Sequence, residues 1–180
     1  LTDPANPIVL LRARGGTSLS PAIHPGLDTV GIMLPTTPLH SQLAEGLTRP
    51  LVCTSANLEG EPLEFDAGEA PRRLAGIADV WLQHDRPIVR PIDDSVVRVI
   101  AGRVVTLRLA RGLAPLPLDC RLTRETIALG GHLKSALAWS NGRQSVLGPH
   151  IGDLDTLSSR ERFAGLHADC ERLYRFSPST

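Results

Sequence analysis

Short apolar runs, broken by loops of Gly, Pro and Ser, recur along the chain. Residues 7–13 (PIVLLRA) are apolar without helical spacing and predict a buried strand. The stretch that follows, ARGGTSLSPAIHPGLD, predicts a loop. Residues 29–35 (TVGIMLP) predict a second strand ended by proline. Leu39, Leu43 and Leu47 recur at i, i+4 and i+8, the spacing of a short helix. A third strand is expected in PLVCTS at 50–55, a helix in 66–78 with Asp66 near its start, and a strand in DVWLQHD at 79–85. Residues 87–112 are dense in Val and Ile on either side of Ala101-Gly102 and predict a hairpin.

Residues 113–126 then lose periodicity, are interrupted by Pro115 and Pro117, and predict a linker. A strand–turn–strand pattern restarts at 127–148, with SNGR as its turn signal. Phe163, Leu166, Cys170 and Leu173 are spaced as the apolar stripe of an amphipathic helix, with Ser158 or Ser159 as its cap. The expected organisation is one unit at 1–118, a linker at 119–125 and a second unit at 126–180.

Composition narrows the classes. The 180 residues are 42% hydrophobic but only 3% aromatic, so the core has to be aliphatic. The formal net charge is zero, which gives no general attraction to nucleic acid or an acidic membrane. No apolar run is long enough to span a bilayer, and no secretory signal opens the chain. Cys53, Cys120 and Cys170 are far apart and odd in number, neither a disulfide framework nor a zinc spacing, so a reduced, cytoplasmic protein is expected. Residue 1 is Leu and a strand begins almost at once, the pattern of a chain cut into. Of the 19 basic residues one is lysine, Lys134.

Five stretches carry candidate chemistry. Thr54, Ser55, Ala56 and Asn57 end an apolar run, where hydroxyls and backbone N–H groups bind phosphate in α/β sheets. A turn that hydrogen-bonds itself accounts for the same residues. Ser95, between Asp94 and a Val pair, suits a phosphate oxygen neutralised by Arg90 or Arg98, or else an edge strand with solvated charges. Arg108 and Arg111 offer planar forks and Gly112 a close backbone approach, or a charged strand end. Gly130, Gly131 and Lys134 suit a phosphate-contacting hairpin, though P-loop spacing is absent and an ordinary glycine hairpin fits equally. In GPHIGDLD, His150, Asp153 and Asp155 sit in a Gly-flanked loop open to a metal or a phosphate.

Six segments occur together and in order: PGLDTVGIMLPTTPLH, PLVCTSANLEGEP, HDRPIVRPIDDSVVR, RLARGLAPLPL, ALGGHLKSA and HIGDLDTL. In this order they resemble the hydrogenase maturation carbamoyltransferases of the HypF type, over nearly the whole chain. TSAN alone is shared with the wider YrdC-like family, which includes threonylcarbamoyl-adenylate synthases and carries a double-stranded RNA-binding association.

The resemblance implies an α/β (α+β) fold. A YrdC-like twisted mixed sheet with helices would be followed by the first strands and helix of an actin/hexokinase-like (ASKHA) ATPase-fold domain. It implies that carbamoyl phosphate and ATP form carbamoyl adenylate, with AMP released on transfer of the carbamoyl group to the C-terminal cysteine of a partner protein. That thiocarboxamide becomes a cyanide ligand of nickel–iron hydrogenase. Thr54, Ser55, Asn57, Ser95, Arg108 and Arg111 would bind ATP and the adenylate. Gly130, Gly131, Lys134, His150 and Asp153 would form a phosphate loop of the second domain.

Mg and Zn belong to the full-length family, but no metal-ligand motif is seen in this sequence. A Lys/Arg segment contacting ATP is expected before Leu1, and a metal-binding His pair beyond Thr180. The chain departs from the family pattern at Thr36 (Tyr), Glu59 (Ser), Leu109 (Arg), Leu113 (Tyr) and Ser135 (Asn), and Leu109 weakens the cationic pocket most. Three other readings stay open: an O-carbamoyltransferase of natural-product pathways, a threonylcarbamoyl-adenylate synthase-like protein, and a non-catalytic nucleotide-binding module.

Overall fold

The structure, a computed structural model, describes residues 1–16, 19–58 and 60–175. Within the expected loop and final helix, Thr17, Ser18 and Phe176 lie outside the described residues. The chain divides into two compact units, residues 1–53 with 94–113, and residues 54–93 with 114–180.

The first unit is built on a mixed sheet. Its strands are β1 (Ile8–Arg12), β2 (Thr29–Ile32), β3 (Val96–Ile100) and β4 (Arg103–Arg108), in the order β2-β1-β3-β4. β1 runs antiparallel to β2, with Val9 opposite Ile32, and parallel to β3, with Val9 opposite Val97. The hairpin expected at 87–112 forms between β3 and β4. Ala101 (φ +50°) and Gly102 (φ +75°) turn it, the left-handed pair that matches strand twist. Val9, Val97 and Ala110 are buried. β4 is exposed along its whole length, with Val104 70% accessible. α1 (Pro38–Glu45) forms over Leu39 and Leu43 and ends before Leu47, with Pro38 in its first turn and Thr37 accepting from the His40 N–H at 3.1 Å.

The second unit holds an antiparallel sheet and the long helix. Strands β5 (Leu116–Leu118), β6 (Glu125–Ala128), β7 (Ser135–Asn141) and β8 (Ser145–Gly152) are ordered β5-β8-β7-β6. The SNGR turn joins β7 to β8, with the Asn141 Oδ1 accepting from the Arg143 and Gln144 N–H groups at 3.0 Å each. Leu137, Trp139, Val146 and Ile151 form the core with Cys170 of α3 (Leu157–Tyr174). Trp139 seats Tyr174 at 4.9 Å between ring centroids.

Six local expectations are corrected. Residues 50–55 and 79–85 form no strand, and Val52 and Val80 are 80% and 84% exposed. An apolar run becomes a strand only where a neighbour takes up its backbone N–H and C=O groups, and none pairs with these among the described residues. The helix expected at 66–78 shrinks to α2 (Ala70–Arg73); Asp66 still nucleates its approach, accepting from the Gly68 and Glu69 N–H groups at 2.7 and 3.1 Å. Leu116–Leu118, inside the expected linker stretch, is a strand after all: Pro117 is tolerated because β5 lies at the sheet edge. The N-cap of α3 is Thr156, with Ser159 completing the capping box from the third helical position. Finally, Tyr174 takes the core place expected of Leu173, which is exposed.

Candidate functional site

In the second unit the 54–64 segment folds onto Asn57. The Asn57 Nδ2 donates to the carbonyls of Leu58 (2.9 Å) and Glu61 (3.0 Å), and its Oδ1 accepts the Ser55 hydroxyl. Glu64 N–H closes the loop on the Ala56 carbonyl at 2.7 Å. The carboxamide is therefore spent on shaping the loop, and what faces outward is the exposed pair Thr54 and Ser55. Glu59 lies outside the described residues.

In the first unit Ser95 and Arg111 come together. Ser95 is fully buried; its Oγ accepts from the Ala110 N–H at 2.8 Å and donates to the Arg111 carbonyl at 2.9 Å. The Arg111 guanidinium donates to Asp94 Oδ1 at 2.8 Å and to the carbonyls of Ala5 and Asn6 at 3.2 and 3.0 Å. The Ile8 N–H returns to the Ser95 carbonyl at 2.8 Å. Three chain segments are thus laced around one buried hydroxyl and one planar cation. Arg108, at the end of β4, is exposed. Arg98 on β3 is half-buried.

The third group is a pair of facing loops in the second unit. Gly130 and Gly131 follow β6, and Lys134 (φ +52°) precedes β7. The Lys134 N–H donates to Asp153 Oδ1 at 2.6 Å, and its ammonium lies 3.7 Å from the same oxygen. That backbone hydrogen bond, first, and the lysine charge, next to it, hold the Asp153 carboxyl below its ordinary value. His150, half-buried on β8, adds a smaller pull in the same direction. Two residues not singled out as a pair from the sequence close the loops: His132 Nε2 meets Asp155 Oδ1 at 2.7 Å, and the Leu154 N–H donates to the His132 carbonyl at 3.0 Å. The signal was present as a glycine-rich GGHLK and a later GDLD, but 23 residues separate the partners, and only the antiparallel register of β7 and β8 brings them together.

The second unit also contains a cavity of about 760 Å³ lined by Trp139, Tyr174, Leu166, Cys170 and Arg162 among others. Of the residues expected to bind ligand, Arg90 and His150 line it. Burial, and then the charge of Asp169, push the Cys170 thiol up to about 11, so it stays protonated at neutral pH. Among the described residues no three His, Cys, Asp or Glu side chains are arranged to hold a metal ion. No described helix is long and apolar enough to cross a membrane.

Comparison with known proteins bears on both units. The Sua5/YciO/YrdC family model, described as Telomere recombination, matches residues 3–110, and the HypF Kae1-like domain model matches residues 121–180. The carbamoyltransferase HypF of Synechocystis sp. is 43% identical over 180 residues, covering 99% of this chain and 24% of that protein. The Rhodobacter capsulatus HypF is likewise 43% identical over 182 residues, with the same coverage. The threonylcarbamoyl-AMP synthase of Bacillus subtilis is 29% identical over 109 residues, 57% of this chain and 32% of that one. A crystal structure of full-length HypF in the phosphate- and nucleotide-bound form superposes with a TM-score of 0.90 at 38% identity, over 97% of this chain and 28% of that chain. The HypF of T. kodakarensis gives 0.89 at 32% identity, over 95% of this chain and 22% of that chain. The chain spans about a quarter of the length of the HypF relatives it matches. With a Sua5/YciO/YrdC-type segment at 3–110 followed by a Kae1-like segment at 121–180, the chain belongs to the HypF carbamoyltransferase family.

Proposed function

We propose that this chain carries part of the nucleotide-handling machinery of a carbamoyltransferase that acts in nickel–iron hydrogenase maturation in the cytoplasm. The observation that carries the reading is the succession of two family segments in one chain, since the YrdC-like segment alone also fits a synthase. Carbamoyl phosphate and ATP would give carbamoyl adenylate in a YrdC-like domain at 1–118. The carbamoyl group would then pass, through a domain beginning at 126, to the C-terminal cysteine of an acceptor protein.

Adenylate formation builds negative charge on phosphate oxygens, and donors fixed beforehand lower that barrier. Thr54, Ser55 and Arg108 are exposed and suit direct contact with phosphate. Asn57, Ser95 and Arg111 would contribute by holding the backbone around them, given the bonds each already makes. Gly130, Gly131 and Lys134, braced by Asp153 and neighboured by His150, would form the phosphate loop of the second domain.

The test is carbamoyl phosphate-dependent exchange of pyrophosphate into ATP by the chain, beside direct ATP binding. Exchange that falls in Ser55→Ala and Arg108→Ala supports the reading. ATP binding that survives both substitutions removes the phosphate roles assigned to them. A second reading is a nucleotide-binding module without turnover, favoured by the internal engagement of Ser95 and Arg111. Binding without exchange selects it. An O-carbamoyltransferase or threonylcarbamoyl synthase differs in its acyl group or acceptor, and swapping those substrates in the same assay separates them.

A further inference from the structure

The loop at 130–134 has an electrostatic peculiarity. Its lysine is matched by Asp153, and the facing loop adds Arg160, which donates from Nε to the Leu154 carbonyl at 2.9 Å, and Asp155, which meets His132. Two cations and two carboxylates cancel. An oxyanion arriving here meets no net positive charge while the two nearby histidines, His132 and His150, are neutral. Of these, His132 belongs to the glycine-rich loop itself and is 55% exposed at its side chain.

We propose that His132 is the proton-dependent anion contact of this loop, oriented by Asp155, and that the ligand is a tetrahedral oxyanion such as a nucleotide phosphate. The inference rests on the reading of residues 130–134 as a phosphate loop. Asp155 engages Nε2, so Nδ1 is the ring nitrogen left for a ligand. In the neutral ring held this way, Nδ1 carries a lone pair that repels an anionic oxygen. In the imidazolium it carries a proton that donates to one, a charge-assisted bond. The charged and titratable groups around the ring are Asp155 at its Nε2, Asp153 further along the same loop, Lys134 on the glycine loop, Arg160 in the first turn of α3 and His150 on β8. Binding an anion and binding a proton are therefore coupled, and each strengthens the other.

Sulfate is the probe, because it stays a dianion across the range where phosphate itself titrates. Its affinity for the full chain is measured by calorimetry at about pH 5.5 and about pH 8, on either side of the ordinary histidine value. ADP binding is measured alongside. The expected result is about tenfold tighter sulfate binding at the lower pH, the size of one charge-assisted hydrogen bond. His132→Gln keeps a donor for Asp155 and should flatten that dependence. His150→Gln should preserve it. Lys134→Ala should weaken sulfate at both pH values without changing their ratio.

A pH-independent affinity in the unaltered chain, or a dependence that persists in His132→Gln, overturns the role of His132 and leaves the phosphate-loop reading standing. If neither sulfate nor ADP binds, or if Lys134→Ala changes neither sulfate affinity, both fall.

Discussion

Replacing Gly112 with alanine probes the lacing of the first unit at its tightest point. Gly112 has φ +81°, and a Cβ built there would sit 2.6 Å from the Ala5 carbonyl oxygen, 2.7 Å from its Cα and 2.8 Å from its Cβ. None of these atoms is the free end of a flexible side chain, so the backbone of residues 5 and 6 has to retreat. That same backbone supplies the two carbonyls to which Arg111 donates. The left-handed conformation costs an L-residue about 1–2 kcal/mol, and overpacking adds about 1–3 kcal/mol, so the expected loss is about 2–5 kcal/mol. Gly102→Ala is the control, because Gly102 shares the conformation (φ +75°) but its Cβ meets nothing within 4 Å. It should lose about 1–2 kcal/mol, from conformation alone.

The assay has to report on the first unit. Both tryptophans, Trp81 and Trp139, belong to the second, so fluorescence is the wrong signal. Native-state hydrogen exchange of the Ile8 and Ala110 amides, which donate to Ser95 O and Ser95 Oγ, reads the opening of the right region. Equal loss of protection in the two variants would refute the close-approach argument.

Three further outcomes follow from the same geometry. Ser95→Ala leaves the Ala110 N–H and the Arg111 carbonyl without their partner and should cost about 1–3 kcal/mol, read by the Ile8 amide; unchanged protection there would contradict the buried role of its hydroxyl. A thiol reagent at neutral pH should label exposed Cys53 and Cys120 quickly and buried Cys170 only after denaturation, so three fast thiols would contradict the burial of Cys170 beneath Tyr174 and Trp139. The Asp153 carboxyl is held below its ordinary 3.8 by the Lys134 N–H, so its stabilising effect is present above that value and is lost as pH falls through the lower, folded one. The melting difference between the unaltered chain and Asp153→Asn should accordingly be full at neutral pH and vanish in strong acid; a difference constant with pH would sink this assignment.

What the sequence made legible follows from how local each signal is. The β3–β4 hairpin, the SNGR turn and the body of α3 are written in contiguous residues, and all three form. The strands expected at 50–55 and 79–85 depended on a pairing partner elsewhere, which no local pattern specifies. Pro117 argued against a strand at 116–118, yet edge position excuses it, and edge position is a property of the whole sheet. The candidate residues behave likewise. Ser95 and Arg111 were legible as polar groups beside an apolar strand, but their commitment to Ala110, Ala5 and Asn6 required the parallel pairing of β1 with β3. The side-chain contact of His132 with Asp155 joins two stretches, GGHLK and GDLD, whose pairing only the register of β7 and β8 reveals.

β4 lies at the edge of its sheet and is exposed along its whole length, so two copies of this chain can meet there. Symmetric antiparallel pairing of two such strands would set Arg103 of each copy against Arg108 of the other, so like charges guard both ends of an otherwise sticky ladder. With zero net charge the molecule has no long-range repulsion to keep copies apart before those ends meet. Salt screens this guard, so added salt should promote association of the chain and low ionic strength should oppose it.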